Sequence, residues 1–382
     1  MNPRIFRIAV QDAAIADLRR RLNAARWPDE PADAGWRYGT ELGYLGKLAA
    51  FWQESFDWRA QEEMLNRLPH YLVEIDGQPP HFIHLAGSGR APRPLLLLHG
   101  WPSSFLEFLA VAEPLAHPER HGGDERDAFD VVIASLPGFT FSTPLKAPLG
   151  PRAMAAALRK LMTEGLGYRR FLVHGGDWGS LVASWLALDH AETLAGLHLS
   201  TLPLDPWTGQ GAPPLSPEEE AYRAVRARHW PGDAAIEAIT ATKPQSLAFG
   251  LADSPIGLAG FLVDQLRSLA DTGGNIERRL SKQQICTWLS LYWFTGCIAS
   301  AAWLHGAGKR EKATRLAPGQ RVLVPTGYAG FAAPDTPRPP RSFAARAYDI
   351  LSWQEMAAGG RFPALEEPEA FIASLRAFNA RL

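Results

Sequence analysis

The apolar positions of this 382-residue chain change their period twice along its length. In residues 11–26, QDAAIADLRRRLNAAR, the side chains of Ile15, Leu18, Leu22 and Ala25 recur at the spacing of one helix face, and WPDEP ends the run. The stretch YLGKLAAFWQESFDWRAQEEMLNRL predicts a second, longer helical region. HYLVEIDGQPPHFIHLAG then alternates on either side of Asp76-Gly77, which reads as a hairpin. After it the apolar runs become continuous: RPLLLLHGWPSS, FDVVIASLPGF, RRFLVHGGDWG, LAGLHLST and QRVLVPTGY, with helical stretches such as RAMAAALRKLMTEGL between them. Strands buried on both faces read this way, so the pattern predicts an α/β fold, a mostly parallel sheet with helices on both faces. Between about 204 and 317 the strand pattern stops, and SPEEEAYRAVRARHW, SPIGLAGFLVDQLRSLAD and SKQQICTWLSLYWFTGCIASAAWLHGAG are helical in period. A helical insertion between two parts of one sheet reads as a lid. The expected organisation is an N-terminal helical and hairpin extension over 1–90, an α/β core over 91–203 and 318–382, and a lid over 204–317.

Ligands of such sheets bind at the carboxyl ends of the strands, where the glycine-rich turns of these runs lie. One turn, Gly175-Gly176-Asp177-Trp178-Gly179, sets a carboxylate between glycines after a strand and before a helix. Gly175-x-Asp177-x-Gly179 has the form of a nucleophile elbow, in which small neighbours relieve a turn that strains the central residue and exposes its side chain. A carboxylate there attacks carbon and forms an alkyl ester, and epoxides and alkyl halides suit that attack. The plainer reading makes Asp177 the N-cap of the helix WGSLVASWLALD. The earlier turn His99-Gly100-Trp101-Pro102 favours the elbow: the backbone N–H groups of Trp101 and Trp178 would form an oxyanion hole. His99 and Pro102 are placed at the substrate by the same turn, although His99 also reads as a structural histidine.

Composition narrows the picture mainly by exclusion. A net charge of −1 argues for neither nucleic acid nor an anionic membrane. Cys286 and Cys297 read as lone core thiols of a reducing compartment. No apolar run is long enough to span a bilayer and the N-terminus lacks an apolar signal core, so a cytoplasmic location without a membrane anchor is expected. The histidines show no metal-ligand spacing on one helix, and neither a metal nor a cofactor is expected. The expected partner is a small-molecule substrate; a homodimer is compatible with the sequence but not argued by it.

The chain resembles the epoxide hydrolases of the microsomal and juvenile-hormone type, an α/β-hydrolase family, over nearly its whole length. The resemblance rests on DLRRRLNAARWPDEP, FDWRAQEEMLNRLPHY and EIDGQPPHFIHLAG in the extension, on LLLLHGWPSS, FDVVIASLPGF and GGDWGS in the core, on ATKPQSLAFGLADSPIGLAGF and LYWFTGCIAS in the lid, and on VPTGYAGF and GGRFPALEEPE near the end. It implies an aspartate that opens the epoxide while two lid tyrosines hydrogen-bond the oxygen, and a histidine, oriented by an acid, that activates water against the ester. By position the nucleophile is Asp177. The family's Gly-Gly-His-Phe is here Gly359-Gly360-Arg361-Phe362, so arginine, which cannot act as an ordinary general base, holds the histidine position. The orienting acid falls at Pro334, beside Asp335. The lid tyrosine positions fall at Ile236 and His305; Tyr222 and Tyr292 stand at other positions, the second read as packing. Thr140 replaces the usual glycine of GFTFSTP.

Losing a general base typically costs about 10²–10⁴-fold. The leading expectation is therefore a repurposed enzyme: Asp177 as base or electrostatic partner for a hydroxyl or amine of the substrate, His305 as proton donor, and ring closure or isomerisation in place of hydrolysis. The alternative keeps Asp177 as nucleophile, with water activated by His305 or Asp335. A third reading is a binding protein without chemistry. Trp101, Trp178, Phe139 and Trp303 are the expected aromatic walls of a pocket for an apolar ligand, with polycyclic ones within its range. Arg361 either holds an anionic group of the substrate or pairs with Asp335 or Asp177; pairing with Asp177 would weaken the aspartate as a base.

Overall fold

The computed structural model describes residues 2–228, 231–331 and 337–382. Each of the continuous apolar runs forms a strand. In chain order the strands are β1 (Arg4–Phe6), β2 (His70–Leu72), β3 (His81–Leu85), β4 (Arg93–Leu98), β5 (Phe129–Ala134), β6 (Phe171–Gly175), β7 (Leu194–Leu199), β8 (Val322–Gly330) and β9 (Tyr348–Glu355). They join in one sheet in the order β1-β2-β3-β5-β4-β6-β7-β8-β9. From β5 to β9 every pairing is parallel. Leu95 to Leu98, Val131 to Ala134 and Phe171 to Val173 have no exposed surface, because helices cover both faces.

The predicted hairpin is formed by β2 and β3, with Asp76 and Gly77 both at positive φ and Ile75 and Gln78 exchanging 2.9 Å backbone hydrogen bonds. Its second strand pairs antiparallel with β5, Ile83 opposite Ile133, so the extension continues the core sheet. The first predicted helix spans Asp12–Asn23 and buries Leu18 and Leu22. The long region after it is two helices, Leu42–Glu54 and Trp58–Leu65. Asp57 separates them by capping the second, its carboxylate accepting from the Arg59 and Ala60 N–H groups. Two strands had no clear signal: β1 is a three-residue edge strand, and β9 is the opposite edge, where YDILSWQE mixes polar and apolar positions.

The region expected to form a lid carries the helices Pro217–Arg228, Pro231–Thr242, Pro244–Asp253, Pro255–Leu269, Lys282–Thr295 and Ile298–Glu311. Its two ends meet: the Asp205 N–H donates to the Thr314 carbonyl (2.7 Å) and the Leu316 N–H to the Asp205 carbonyl (3.1 Å). The helix Lys282–Thr295 ties the lid to the turn after β4. Trp288 Nε1 and Tyr292 Oη both donate to the Pro102 carbonyl, at 2.8 and 2.9 Å. Cys286 and Cys297 are buried free thiols. Among the described residues no single helix is long and apolar enough to cross a membrane.

Candidate active site

β6 ends in the elbow. Asp177 has φ +48°, an uncommon conformation for a residue with a side chain, and begins the helix Asp177–Asp189. The N-cap of that helix is Gly176, so the capping reading of Asp177 does not hold. The strand–helix approach leaves no room around the turn. A Cβ at Gly179 would lie 2.1 Å from the Leu98 carbonyl oxygen, and one at Gly175 would lie 2.3 Å from the Gly179 oxygen. Across the cleft, a Cβ at Gly100 would lie 2.4 Å from Asp177 Oδ1. The glycines of both motifs thus let the Asp177 carboxylate reach the turn after β4.

There the Trp101 N–H donates to Asp177 Oδ1 at 2.9 Å. Of the two backbone donors expected of an oxyanion hole, Trp101 and Trp178, the first holds one oxygen of the carboxylate itself. The other oxygen, Oδ2, accepts from an Arg361 terminal nitrogen at 3.2 Å. Arg361 sits on a loop fixed by a buried carboxylate: Glu366 accepts from the Asp271, Gly360 and Phe362 N–H groups, and the Arg361 N–H donates to the Leu269 carbonyl. Of the two pairings expected for Arg361, the one with Asp177 is present. Asp335 and Pro334 lie outside the described residues.

Above the carboxylate is a cavity of about 270 Å³, lined by Trp101, Trp178, Leu181, Leu202, Ile236, Leu269 and Phe331, with Asp177, Ser200, Glu237, His305 and Arg361 among its polar groups. Of the expected site residues, Asp177, Trp101, Trp178, Ile236, His305 and Arg361 meet there. The other four that are described do not line it. His99 is fully buried, its Nε2 accepting from the Leu136 N–H and its Nδ1 close to the Gly100 carbonyl, so both ring nitrogens serve the turn. Phe139 is buried edge-on against His99, with ring centroids 5.1 Å apart. Pro102 acts through its carbonyl as the lid anchor. Trp303, on the helix Ile298–Glu311, is half-buried away from the cavity walls.

His305 stands edge-on to both Trp101 and Trp178, at centroid distances of 4.9 and 4.8 Å. Burial pushes its pKa down to about 4, so the ring is neutral at ordinary pH. Nδ1 faces the Ala302 carbonyl at 3.3 Å and must carry the ring hydrogen to donate to it. A neutral ring with that tautomer has no N–H left for the cavity, which counts against the expected proton-donor role. Tyr292 is likewise spoken for, because its buried hydroxyl donates to the Pro102 and Ser103 carbonyls. Thr140, in the usual glycine position, adopts φ +43°.

Two further carboxylates, not expected from the sequence, lie at the site. Glu237 follows Ile236 on the lid and lines the cavity; burial raises its carboxyl pKa against the pull of Lys309 and Arg361. Glu107 is buried behind Asp177, on the short helix after the Trp101 turn. It is the single charge in SSFLEFLAVA, which is the one signal that would have drawn attention to it.

A parallel sheet whose strand β6 turns sharply through Asp177 into a helix, with the carboxylate held on a backbone N–H beside a cavity, is the arrangement of the α/β-hydrolase fold. The family model "Epoxide hydrolase N terminus" matches residues 3–108 and "alpha/beta hydrolase fold" matches 93–238. A protein of Stigmatella aurantiaca named as an epoxide hydrolase is 36% identical over 97% of this chain and 83% of its own length. Epoxide hydrolase 1 of Sus scrofa is 32% identical, covering 99% of this chain and 89% of its own length. The solved Aspergillus niger epoxide hydrolase superposes with a TM-score of 0.84 at 26% identity, over 100% of this chain and 97% of that one. The chain belongs to the epoxide hydrolase family of the microsomal and juvenile-hormone type.

Proposed function

We propose that the protein hydrolyses an apolar epoxide through an ester on Asp177, with a base other than the residue at position 361. The observation that carries this reading is the division of labour on the carboxylate. Trp101 N–H holds Oδ1, where negative charge collects when the later ester is attacked, and Oδ2 is left towards the cavity beside Arg361. In the first step an Asp177 Oδ2–carbon bond forms and the epoxide C–O bond breaks. The departing oxygen takes a proton from Glu237, the cavity carboxyl whose pKa burial raises. Trp101, Trp178, Leu181 and Leu202 give the ligand an apolar wall.

Ring closure with Asp177 as base is less well supported. The relatives that match over most of the chain carry the name epoxide hydrolase, which favours hydrolysis. Rapid quenching of the protein with excess styrene oxide, followed by peptide mapping, should find a one-substrate adduct on the peptide holding Asp177. Glu237→Gln should form that adduct roughly 10²-fold more slowly. Diol formation with no adduct at any time would refute the covalent route.

A further inference from the structure

Ester hydrolysis needs a base, and Arg361 is not one. Behind Asp177, the Ser103 hydroxyl donates to Glu107 Oε2 at 2.7 Å, while Glu107 Oε1 has no hydrogen-bond partner although it is sealed from solvent. Ser200 Oγ, at the cavity wall, is buried and without a partner as well. Both oxygens converge on the bare Cα of Gly176, the residue before the nucleophile. A Cβ built there would lie 3.0 Å from Ser200 Oγ, 3.6 Å from Glu107 Oε1 and 3.6 Å from the Arg361 carbonyl oxygen. Buried unpaired oxygens are costly, and a water with two to four polar partners is the usual way they are satisfied.

We propose that Glu107 is the base of the second half-reaction: with Ser200 and the Arg361 carbonyl it holds the hydrolytic water beside Gly176, and it takes that water's proton. This rests on the reading of Asp177 as a covalent nucleophile. The water oxygen bonds to Asp177 Cγ while one proton passes to Glu107, and the oxyanion forms on the oxygen held by the Trp101 N–H. The Cγ–O bond to the alkyl group then breaks. The departing alkoxide takes the second water proton, giving the diol and restoring the carboxylate. The proton on Glu107 returns by way of the next water bound beside Gly176 and the cavity to Glu237, which gave one up in the first step.

The timing suits the charges. The carboxyls that face Glu107 are Asp177 and Glu366, and its other polar neighbours are Ser103, Ser200 and the Gly100 N–H. Burial above all, then repulsion from Asp177 and Glu366, pushes the Glu107 pKa up to about 8. Esterification removes the charge on Asp177 and so favours the ionised Glu107 that a base requires. A carboxyl raised in this way accepts a proton only above its pKa, so ester hydrolysis should accelerate with rising pH and level off at or below about 8.

The test separates the two half-reactions in the full chain with styrene oxide. Glu107→Gln, which keeps volume and can still accept from Ser103, should form the Asp177 adduct at the wild-type rate. It should hydrolyse the adduct about 10²–10³-fold more slowly, so that the adduct accumulates, and should lose the rise with pH. Ser200→Ala should slow the same step about tenfold, a split that a purely structural role would not produce. Adduct hydrolysis by Glu107→Gln within threefold of wild type would overturn the assignment to Glu107 while leaving Asp177 as nucleophile. Diol formed without adduct by both proteins would instead overturn the Asp177 reading beneath it.

Discussion

Asp177→Asn should abolish turnover, by on the order of 10⁴-fold or more, while the protein remains folded. The amide has nearly the shape of the carboxylate, so its oxygen can still accept from the Trp101 N–H, and the positive φ of the elbow is one that asparagine tolerates well. What disappears is the anionic oxygen that attacks carbon. The Arg361 contact is lost too, but that side chain keeps one fifth of its surface exposed, so water screens the remaining charge. The melting temperature should therefore change by no more than about 3 °C. Adduct formation and diol production followed beside a thermal melt check both halves. Activity within tenfold of wild type would remove Asp177 from the chemistry.

Gly179→Ala should be the most destabilising single-methyl change at the site, by about 3–5 kcal/mol. The added Cβ would meet the Leu98 carbonyl oxygen at 2.1 Å and the His99 oxygen at 2.7 Å. Both are backbone atoms of the β4 end, which lies between β5 and β6 and cannot shift without disturbing two parallel ladders. Urea unfolding of the variant should show a lower midpoint with an unchanged slope. Stability within 1 kcal/mol of wild type would mean that the helix and β4 do not approach as closely as described.

Much of the sheet was legible because its central strands are buried on both faces. A run such as LLLL has no solvent-facing position at which a polar residue would blur the pattern. The edges were harder to read. YDILSWQE in β9 is half-exposed, and the break at Asp57 depends on one capping carboxylate within an otherwise helical period. The elbow was legible because its glycines are demanded by close backbone approaches, of Gly175 to Gly179 and of Gly179 to the end of β4, that no side chain survives. His99, Phe139, Pro102 and Trp303 were placed at the substrate from their proximity in sequence to the motifs. The first three serve instead to build or anchor the turns, and the fourth lies away from the cavity. Glu107 and Glu237 escaped because each owes its position to distant segments: Glu107 faces Gly176 and Ser200, and Glu237 faces Arg361 across the cavity.

The central claim is that Asp177 bonds to the substrate and that water then attacks the protein. A single turnover in ¹⁸O-labelled water, with enzyme in excess over styrene oxide, tests it directly. The expected result is label in the peptide carrying Asp177 and an unlabelled diol. Label in the diol, or a cyclised product with label in neither, would contradict it.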